Sequence, residues 1–313
     1  MEEFKKYGKI KTLGCTENIS IFNNPNDKII WQEKMDGANF RFFVTKDAKL
    51  IFGSRTQQFT NDEGEDVKIS KNFQRCIDYI KEIFDKNFKS FLPNSIYYGE
   101  CMVKHTMEYN WETIPPFLGF DIYNTKSERY IGSVENIFRL LGLVSVPIIK
   151  TCKAGLITQF SDDDVPQSAY APVSNPKQQA EGVVFKNYDY NDKLQNYMFA
   201  KYVRAKFKED NAEAFGGSPK YSEDDSGKIV ARFCTNARID KHIFKLIDDG
   251  HKLDMPMMAH LPMAMVRDIY EEHWEDILIS NMKLDMKKVR IQITRRCLCV
   301  LKQTITNNAL VGK

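Results

Sequence analysis

One segment constrains this chain more than any other: Glu33-Lys34-Met35-Asp36-Gly37-Ala38-Asn39-Phe40-Arg41, running on into Phe42-Phe43-Val44. The apolar residues from Phe40 onward read as a strand with side chains projecting to alternate faces. The acid-glycine pair before them reads as a tight turn, since glycine reaches backbone conformations closed to other residues. Such a turn would hold Lys34 at the mouth of a pocket, against a bound phosphate. A lysine attacks an electrophile only after losing its proton, and its ordinary pKa of about 10.4 must first be brought down by burial or neighbouring positive charge. On its own, Lys-x-Asp-Gly is also an ordinary hairpin turn.

The pattern around this segment is that of an α+β fold built on antiparallel sheets. Ile29-Ile30-Trp31, Phe40–Val44 and Leu50-Ile51-Phe52 read as strands separated by turn residues. Residues 71–84 switch to helical spacing, with Phe73, Ile77, Ile80 and Phe84 on one face. Strands follow at Ser95–Cys101 and Phe117–Tyr123, a helix at 134–142, a polar loop at 161–179, and strands at 181–188 and 197–204. Glu, Asp, Gly, Ser and Pro then dominate residues 208–228, which marks a linker. Beyond it Ile229–Asp248 and Leu261–Ile279 repeat apolar residues at helical intervals, while Leu284–Ile305 alternates partly as a strand would. The expected division is a first domain over 1–210, a linker over 211–228 and a helical domain over 229–313.

Composition excludes several classes. The charged start Met1-Glu2-Glu3-Phe4-Lys5-Lys6 lacks the apolar run of a signal peptide. The longest apolar stretch, Leu140–Ile149, is broken by Gly142, Ser145 and Pro147 and is too short to span a bilayer. The seven cysteines show no Cys-x-x-Cys pair, which fits a reducing, cytoplasmic setting. Net charge is only +3, but residues 283–313 carry eight Lys/Arg against the single acid Asp285. Such a surface suits a polyanionic partner, although a solvated helix face is the commoner reading of a charge run.

Further blocks follow the lysine in order: Ser54-Arg55-Thr56, Tyr98-Gly99-Glu100, Phe117-Leu118-Gly119-Phe120-Asp121-Ile122-Tyr123, Glu181-Gly182-Val183-Val184-Phe185-Lys186 and Ala200-Lys201-Tyr202-Val203-Arg204-Ala205-Lys206-Phe207. The series resembles the covalent nucleotidyltransferases, that is, ATP-dependent polynucleotide ligases and RNA-capping guanylyltransferases. Ala231–Ile239, Val266–Glu272 and the opening Phe4-Lys5-Lys6-Tyr7 are similar to the T4-type RNA ligase 2 family. That resemblance implies an ATP-grasp-like ligase adenylation domain, an antiparallel-sheet nucleotidyltransferase, followed by a small all-helical C-terminal domain.

The resemblance also implies roles. Lys34 would take AMP from ATP, pass it to an RNA 5′-phosphate, and leave that end open to attack by a 3′-hydroxyl. Lys186 and Lys201 would converge on the α-phosphate and help to depress the pKa of Lys34, Arg55 would clamp a phosphate, and Glu100 would accept from the ribose hydroxyls. Phe120 would stack on adenine, although an aromatic in an apolar strand is core by default. Glu181 would hold Mg²⁺ (or Mn²⁺), Asn39 would contact phosphates or the metal's shell, and Glu33 would act through its backbone near the base. Arg238, Asp268 and Glu272 align with positions concerned with sealing RNA ends, and the last two, four apart on one helix face, equally suit a structural role. One departure stands out: the family's last motif has two basic residues one position apart, where this chain has Lys201 and Val203, so that Arg204 or Lys206 would have to supply the second charge.

The expected protein is a monomeric, ATP-dependent RNA ligase acting on nicked duplex RNA without membrane contact. A capping-type guanylyltransferase and a non-catalytic RNA-end-binding protein are the alternatives. A capping enzyme carries an OB-fold after the last motif, and this chain shows no run of short strands there. A binding protein is disfavoured by the presence of Lys34, Glu100, Glu181, Lys186 and Lys201 together.

Overall fold

The structure is a computed structural model that describes residues 4–45, 47–61, 64–65, 71–104, 106–132, 134–191, 196–204, 225–279 and 285–311. The chain divides into two compact units, Met1–Arg204 and Ala205–Lys313.

The first unit carries two sheets. One orders its strands β1 (Lys11–Thr12), β11 (Met198–Val203), β10 (Gly182–Asn187), β2 (Lys28–Glu33) and β9 (Ile148–Lys153). The other orders β4 (Leu50–Ser54), β3 (Ala38–Val44), β5 (Ser95–Cys101), β6 (Phe117–Asn124) and β7 (Arg129–Tyr130), with β8 (Val144–Ser145) beside β6. Pairing is antiparallel except for β1 with β11 and β6 with β8, which are parallel. The expected all-antiparallel pattern is corrected at those two short strands.

Each sheet covers its outer face with its own core. In β3, Phe40, Phe42 and Val44 point outward and pack with Phe52, Tyr97 and Phe117 against Phe73, Ile77, Ile80 and Phe84 of helix α1 (Lys71–Asn87). Burying side chains of this size contributes about 1.5–3 kcal/mol each. Helix α2 (Glu135–Leu141) closes the same core with Phe138 and Leu141, and ends on Gly142 at φ 81°, the left-handed conformation that glycine supplies at helix ends. The other sheet packs Ile29, Trp31, Val183, Phe185 and Ala200 into a second core. The remaining faces of the two sheets line a cleft, where Phe43, Ile96, Tyr98 and Tyr123 meet Phe199 around the buried ring of Tyr7.

In the second unit every strand-or-helix element among the described residues is helical: α3 (Asp225–Phe233), α4 (Asn236–Asp248), α5 (Leu261–Ile279) and α6 (Met286–Val311). Their shared core includes Ile229, Phe233, Ile239, Ile243, Met265, Ile269, Val289, Ile293, Cys297 and Leu301. The expected single helix over Ile229–Asp248 is two, because Thr235 turns out of the helix and its side chain accepts from the Arg238 N–H at 3.3 Å, capping α4. Residues 225–228, expected in the linker, form the first turn of α3, while 211–224 lie outside the described residues. The ambiguous segment from Leu284 is helical from Met286 onward. No described helix is long and apolar enough to cross a membrane.

Candidate active site

Strand β2 delivers Lys34 to the cleft. Just past the strand, the Lys34 N–H donates to the Gly182 carbonyl at 3.0 Å. Its ammonium lies 2.7 Å from Glu181 Oε2, with the two side chains only 15% and 4% exposed. Gly182 is required by space, since a Cβ there would lie 1.9 Å from the Tyr202 carbonyl oxygen. Gly37 is required for the same reason and not for its turn: a Cβ would come within 2.7 Å of Glu100 Cγ and 2.6 Å of the Cys101 carbonyl oxygen. The glycine after Asp36 thus lets β5 and the Glu100 stem approach the lysine segment closely.

The facing wall comes from the second sheet. Asn39 on β3 pairs with Glu100 on β5. Arg55 follows Ser54, the partner of Phe40, which sets it at the same end of the ladder. The Ser54 hydroxyl accepts from the N–H groups of Thr56 at 3.3 Å and Gln57 at 3.1 Å, fixing the turn that carries Arg55. Asn39 Oδ1 and Arg55 Nε are both buried without a hydrogen-bond partner. Unpaired buried polar atoms are costly, and here one acceptor and one cationic donor border the same cleft.

Lys186 departs from its expected place. It pairs with Ile30, four residues before Lys34, which puts it roughly 13 Å along the strand at ~3.3 Å per residue. Its ammonium is buried at the cleft floor, donating to the Asp121 carboxylate and, at 2.8 Å, to the Tyr7 hydroxyl. Tyr7 and Tyr188 both donate to Asp121 as well. Burial pulls the Lys186 pKa down, with Asp121 opposing, and pushes those of Tyr7 and Tyr188 up, with Asp121 adding to the effect. Lys186 is therefore corrected from a phosphate contact beside Lys34 to part of the floor. The half-buried Phe120 ring borders that floor, 4.9 Å from Tyr7 and 5.1 Å from the Lys186 ammonium, and Gln32 Nε2 reaches across the cleft to its carbonyl at 3.2 Å.

Lys201 pairs with Val184, and Val203 with Gly182. Val203 thus occupies the row level with Lys34, and Lys201 lies one row deeper. Arg204 does not supply the second charge, because its buried guanidinium donates to the Ala180 carbonyl at 2.7 Å and to Gln179 Oε1 at 2.9 Å. Lys206 lies outside the described residues.

Some residues gain a definite place that spacing alone did not give. Asp36 accepts from the N–H groups of Thr106 at 2.9 Å and Met107 at 2.8 Å, while its own N–H donates to the Tyr109 hydroxyl at 2.8 Å. It ties the chain beside Gly37 to the loop after β5. The Glu33 carboxylate, expected to act through its backbone, accepts from the Ser168 hydroxyl at 2.5 Å and the Ala169 N–H at 2.9 Å. Burial raises its pKa, with those two donors opposing. Tyr7 and Asp121 were visible only as members of quoted blocks, with no feature of their own to mark them.

In the helical unit Arg238 is 3.0 Å from Asp268 and 2.8 Å from Glu272, and donates at 3.0 Å to the Phe233 carbonyl. His242 stands 3.3 Å from Asp268. Burial acts to raise the Asp268 pKa, but the neighbouring His242 and the Arg238 charge hold it well below the usual carboxylate range. The three residues expected to serve sealing form an ion-pair cluster joining α4 to α5.

The donor set suits one kind of metal. Among the described residues no group of three or more His, Cys, Asp or Glu is placed to hold an ion. Glu181 and the unpaired Asn39 Oδ1 are hard oxygen donors, matching a magnesium-like ion that keeps most of its water and leans on substrate phosphates. A separate polar cavity of about 260 Å³, lined by Ser20, Asn24, Asp27, Asp189 and Tyr190 among others, contains none of the cleft residues.

A family model described as RNA ligase matches residues 27–203. No curated protein matches the chain. Among solved structures, Naegleria gruberi RNA ligase with PPi is similar at 17% identity and a TM-score of 0.48, covering 67% of this chain and 58% of that one. A mutant of the same ligase with ATP and Mn gives 17% and 0.48 over 66% and 58%, and another with AMP and Mn gives 17% and 0.45 over 65% and 58%. The chain thus spans less than two thirds of the length of the solved structures it matches.

Proposed function

We propose, on the premise that this chain belongs to the RNA ligase family, that it joins RNA 3′-hydroxyl and 5′-phosphate ends using ATP. Lys34 Nζ attacks the α-phosphorus of ATP. A P–N bond forms, the bond to the bridging oxygen of the β-phosphate breaks, and pyrophosphate leaves. The 5′-phosphate of RNA then takes the AMP and returns the free lysine. The 3′-hydroxyl attacks the activated phosphorus, losing its proton and expelling AMP. These are in-line transfers, in which positioning and charge neutralisation do most of the work.

The observation that carries this reading is the contact between Lys34 and Glu181 inside a cleft that also presents Asn39, Arg55 and Glu100. Glu181 and Asn39 would hold the divalent cation, which when bound supplies neutralising charge to the phosphates. Were Glu181 to turn to that cation, Lys34 would lose the carboxylate that now lies 2.7 Å from its ammonium. Lys201 and Arg55 would bind phosphate from opposite walls, Glu100 would take the ribose hydroxyls, and Phe120 would flank the base above Lys186, Asp121 and Tyr7. Arg238, Asp268 and Glu272 would support sealing by holding the helical unit in shape.

Nicked duplex RNA and single-stranded RNA with identical ends, each incubated with magnesium and either ATP or GTP, test the reading. It expects sealing with ATP and faster sealing of the nick. A covalent adduct formed with labelled GTP and not with ATP, without sealing, favours the guanylyltransferase reading, and no joining of any end with either nucleotide overturns ligation.

A further inference from the structure

Outside the cleft, one face of α6 has no role in the chemistry above. The helix Met286–Val311 carries six Lys/Arg and no acid. At about 100° per residue, Lys287, Lys288, Arg295 and Lys302 fall within roughly 100° of arc. All four are exposed. Val289, Ile293, Cys297, Val300 and Leu301 turn the opposite face into the core. Lys288, Arg295 and Lys302 repeat every seventh residue, so their charges lie roughly 10 Å apart along a line of roughly 21 Å at ~1.5 Å rise per residue. Within the same arc lie Ile291, 43% exposed, and the half-buried Leu298.

Many solvated helix faces mix signs. Helix α1 does so, with Lys86 2.7 Å from Glu82 one turn away. Helix α6 offers no acid of its own at that spacing. Asp285 caps its first turn, accepting from the Lys288 N–H at 3.0 Å, and no acid follows within the helix. Past that cap the like charges run in line along the helix, which fits a partner carrying regularly spaced negative charge and small apolar surfaces between. The sugar–phosphate backbone of RNA has both.

We infer that the Lys287, Lys288, Arg295 and Lys302 face of α6 is a docking surface for the RNA backbone, read without regard to base sequence. The choice of RNA over another polyanion rests on the proposed ligase function. The surface itself rests on the charge pattern.

The test compares the full chain with a Lys288→Glu, Arg295→Glu, Lys302→Glu variant and with a control of equal charge change, Lys89→Glu, Lys126→Glu, Lys177→Glu, at exposed lysines of the first unit. Binding of a fluorescent nicked RNA duplex is measured across a salt series, with circular dichroism to verify folding. The α6 variant should bind at least 10-fold more weakly at low salt, and its slope of log affinity against log salt should fall by roughly 2–3, near 0.7–0.9 for each phosphate no longer neutralised. The control should bind within about 3-fold of the parent, against the roughly 10-fold steps expected of the α6 face. Equal weakening in both variants, or an unchanged slope in the α6 variant, overturns the inference. Should the Glu variant fail to fold, replacement by Ser at the same three α6 positions is held to the same two outcomes. Labelling with α-labelled ATP needs no RNA and should be unaltered in the α6 variant, so a parent that binds RNA but forms no adduct would sink the ligase reading and leave the surface standing.

Discussion

The Lys34 ammonium and the Glu181 carboxylate lie 2.7 Å apart in a cleft that nearly hides them both. On the proposed reading each group would do something that the other prevents: the lysine would become neutral, and the carboxylate would turn to a cation. Glu181→Gln removes the counter-charge of Lys34 and the carboxylate proposed to hold the cation. Adenylylation in that variant should fall by roughly 10²-fold or more, the scale of losing one electrostatic contact at a reacting centre, and raising the magnesium concentration should not restore it. Single-turnover labelling with α-labelled ATP measures this, and a variant within 3-fold of the parent would separate Glu181 from the chemistry.

Val203 occupies the row level with Lys34, where a basic residue was expected, and Arg204 is committed to the carbonyl oxygens of residues 179 and 180. Val203→Lys should therefore speed one of the three transfers, by roughly 10-fold if the new charge gains about 1.4 kcal/mol at the transition state. Rapid-quench measurement of lysyl-AMP formation, RNA adenylylation and sealing would identify the step.

The blocks of the candidate site were legible because each couples a charged residue to a strand of clear period. Lys34 and Glu181 flank strands and Glu100 and Lys201 lie within them, and the apolar residues of those strands fix the register. Lys186 was misplaced because one sequence position along β10 says nothing of depth in the cleft, and its partner Asp121 lies 65 residues away. Strand β9 passed unread because it is an edge with a half-exposed face and no alternation. The break between α3 and α4 was hidden by apolar spacing that continues across Thr235. Gly37 was read as a turn residue, whereas contact with Glu100 demands it.

The floor of the cleft makes a stability prediction. Lys186 and Asp121 are 1% and 0% exposed, and removing one partner strands a buried charge. Asp121→Leu should cost about 3–5 kcal/mol in urea unfolding, while Asp121→Leu with Lys186→Met should recover much of that loss, since an apolar pair of similar volume replaces a buried ion pair at little cost. Equal destabilisation by the single and double variants would contradict the pairing.

The helical unit should respond to pH through Asp240. Burial, opposed by the Thr304 hydroxyl and the Arg296 charge, pushes its pKa up to about 6. A carboxyl raised in the folded state favours the protonated form, so its stabilising effect is complete below the unfolded value near 3.9 and is lost as pH rises to about 6. The shift is worth about 2–3 kcal/mol at most. Asp240→Asn should remove this decline between pH 4 and 6 and raise the melting temperature at pH 7, as followed by circular dichroism at 222 nm, the usual helix wavelength (roughly the amide n–π* band). A parent equally stable across that range would contradict the assignment.

The most direct measurement is covalent capture of nucleotide by Lys34. Incubated with α-labelled ATP and magnesium, the parent should carry label that survives denaturation and is released by added pyrophosphate, and Lys34→Ala should carry none. Absence of label in the folded parent, or undiminished label in Lys34→Ala, would contradict the account at its root.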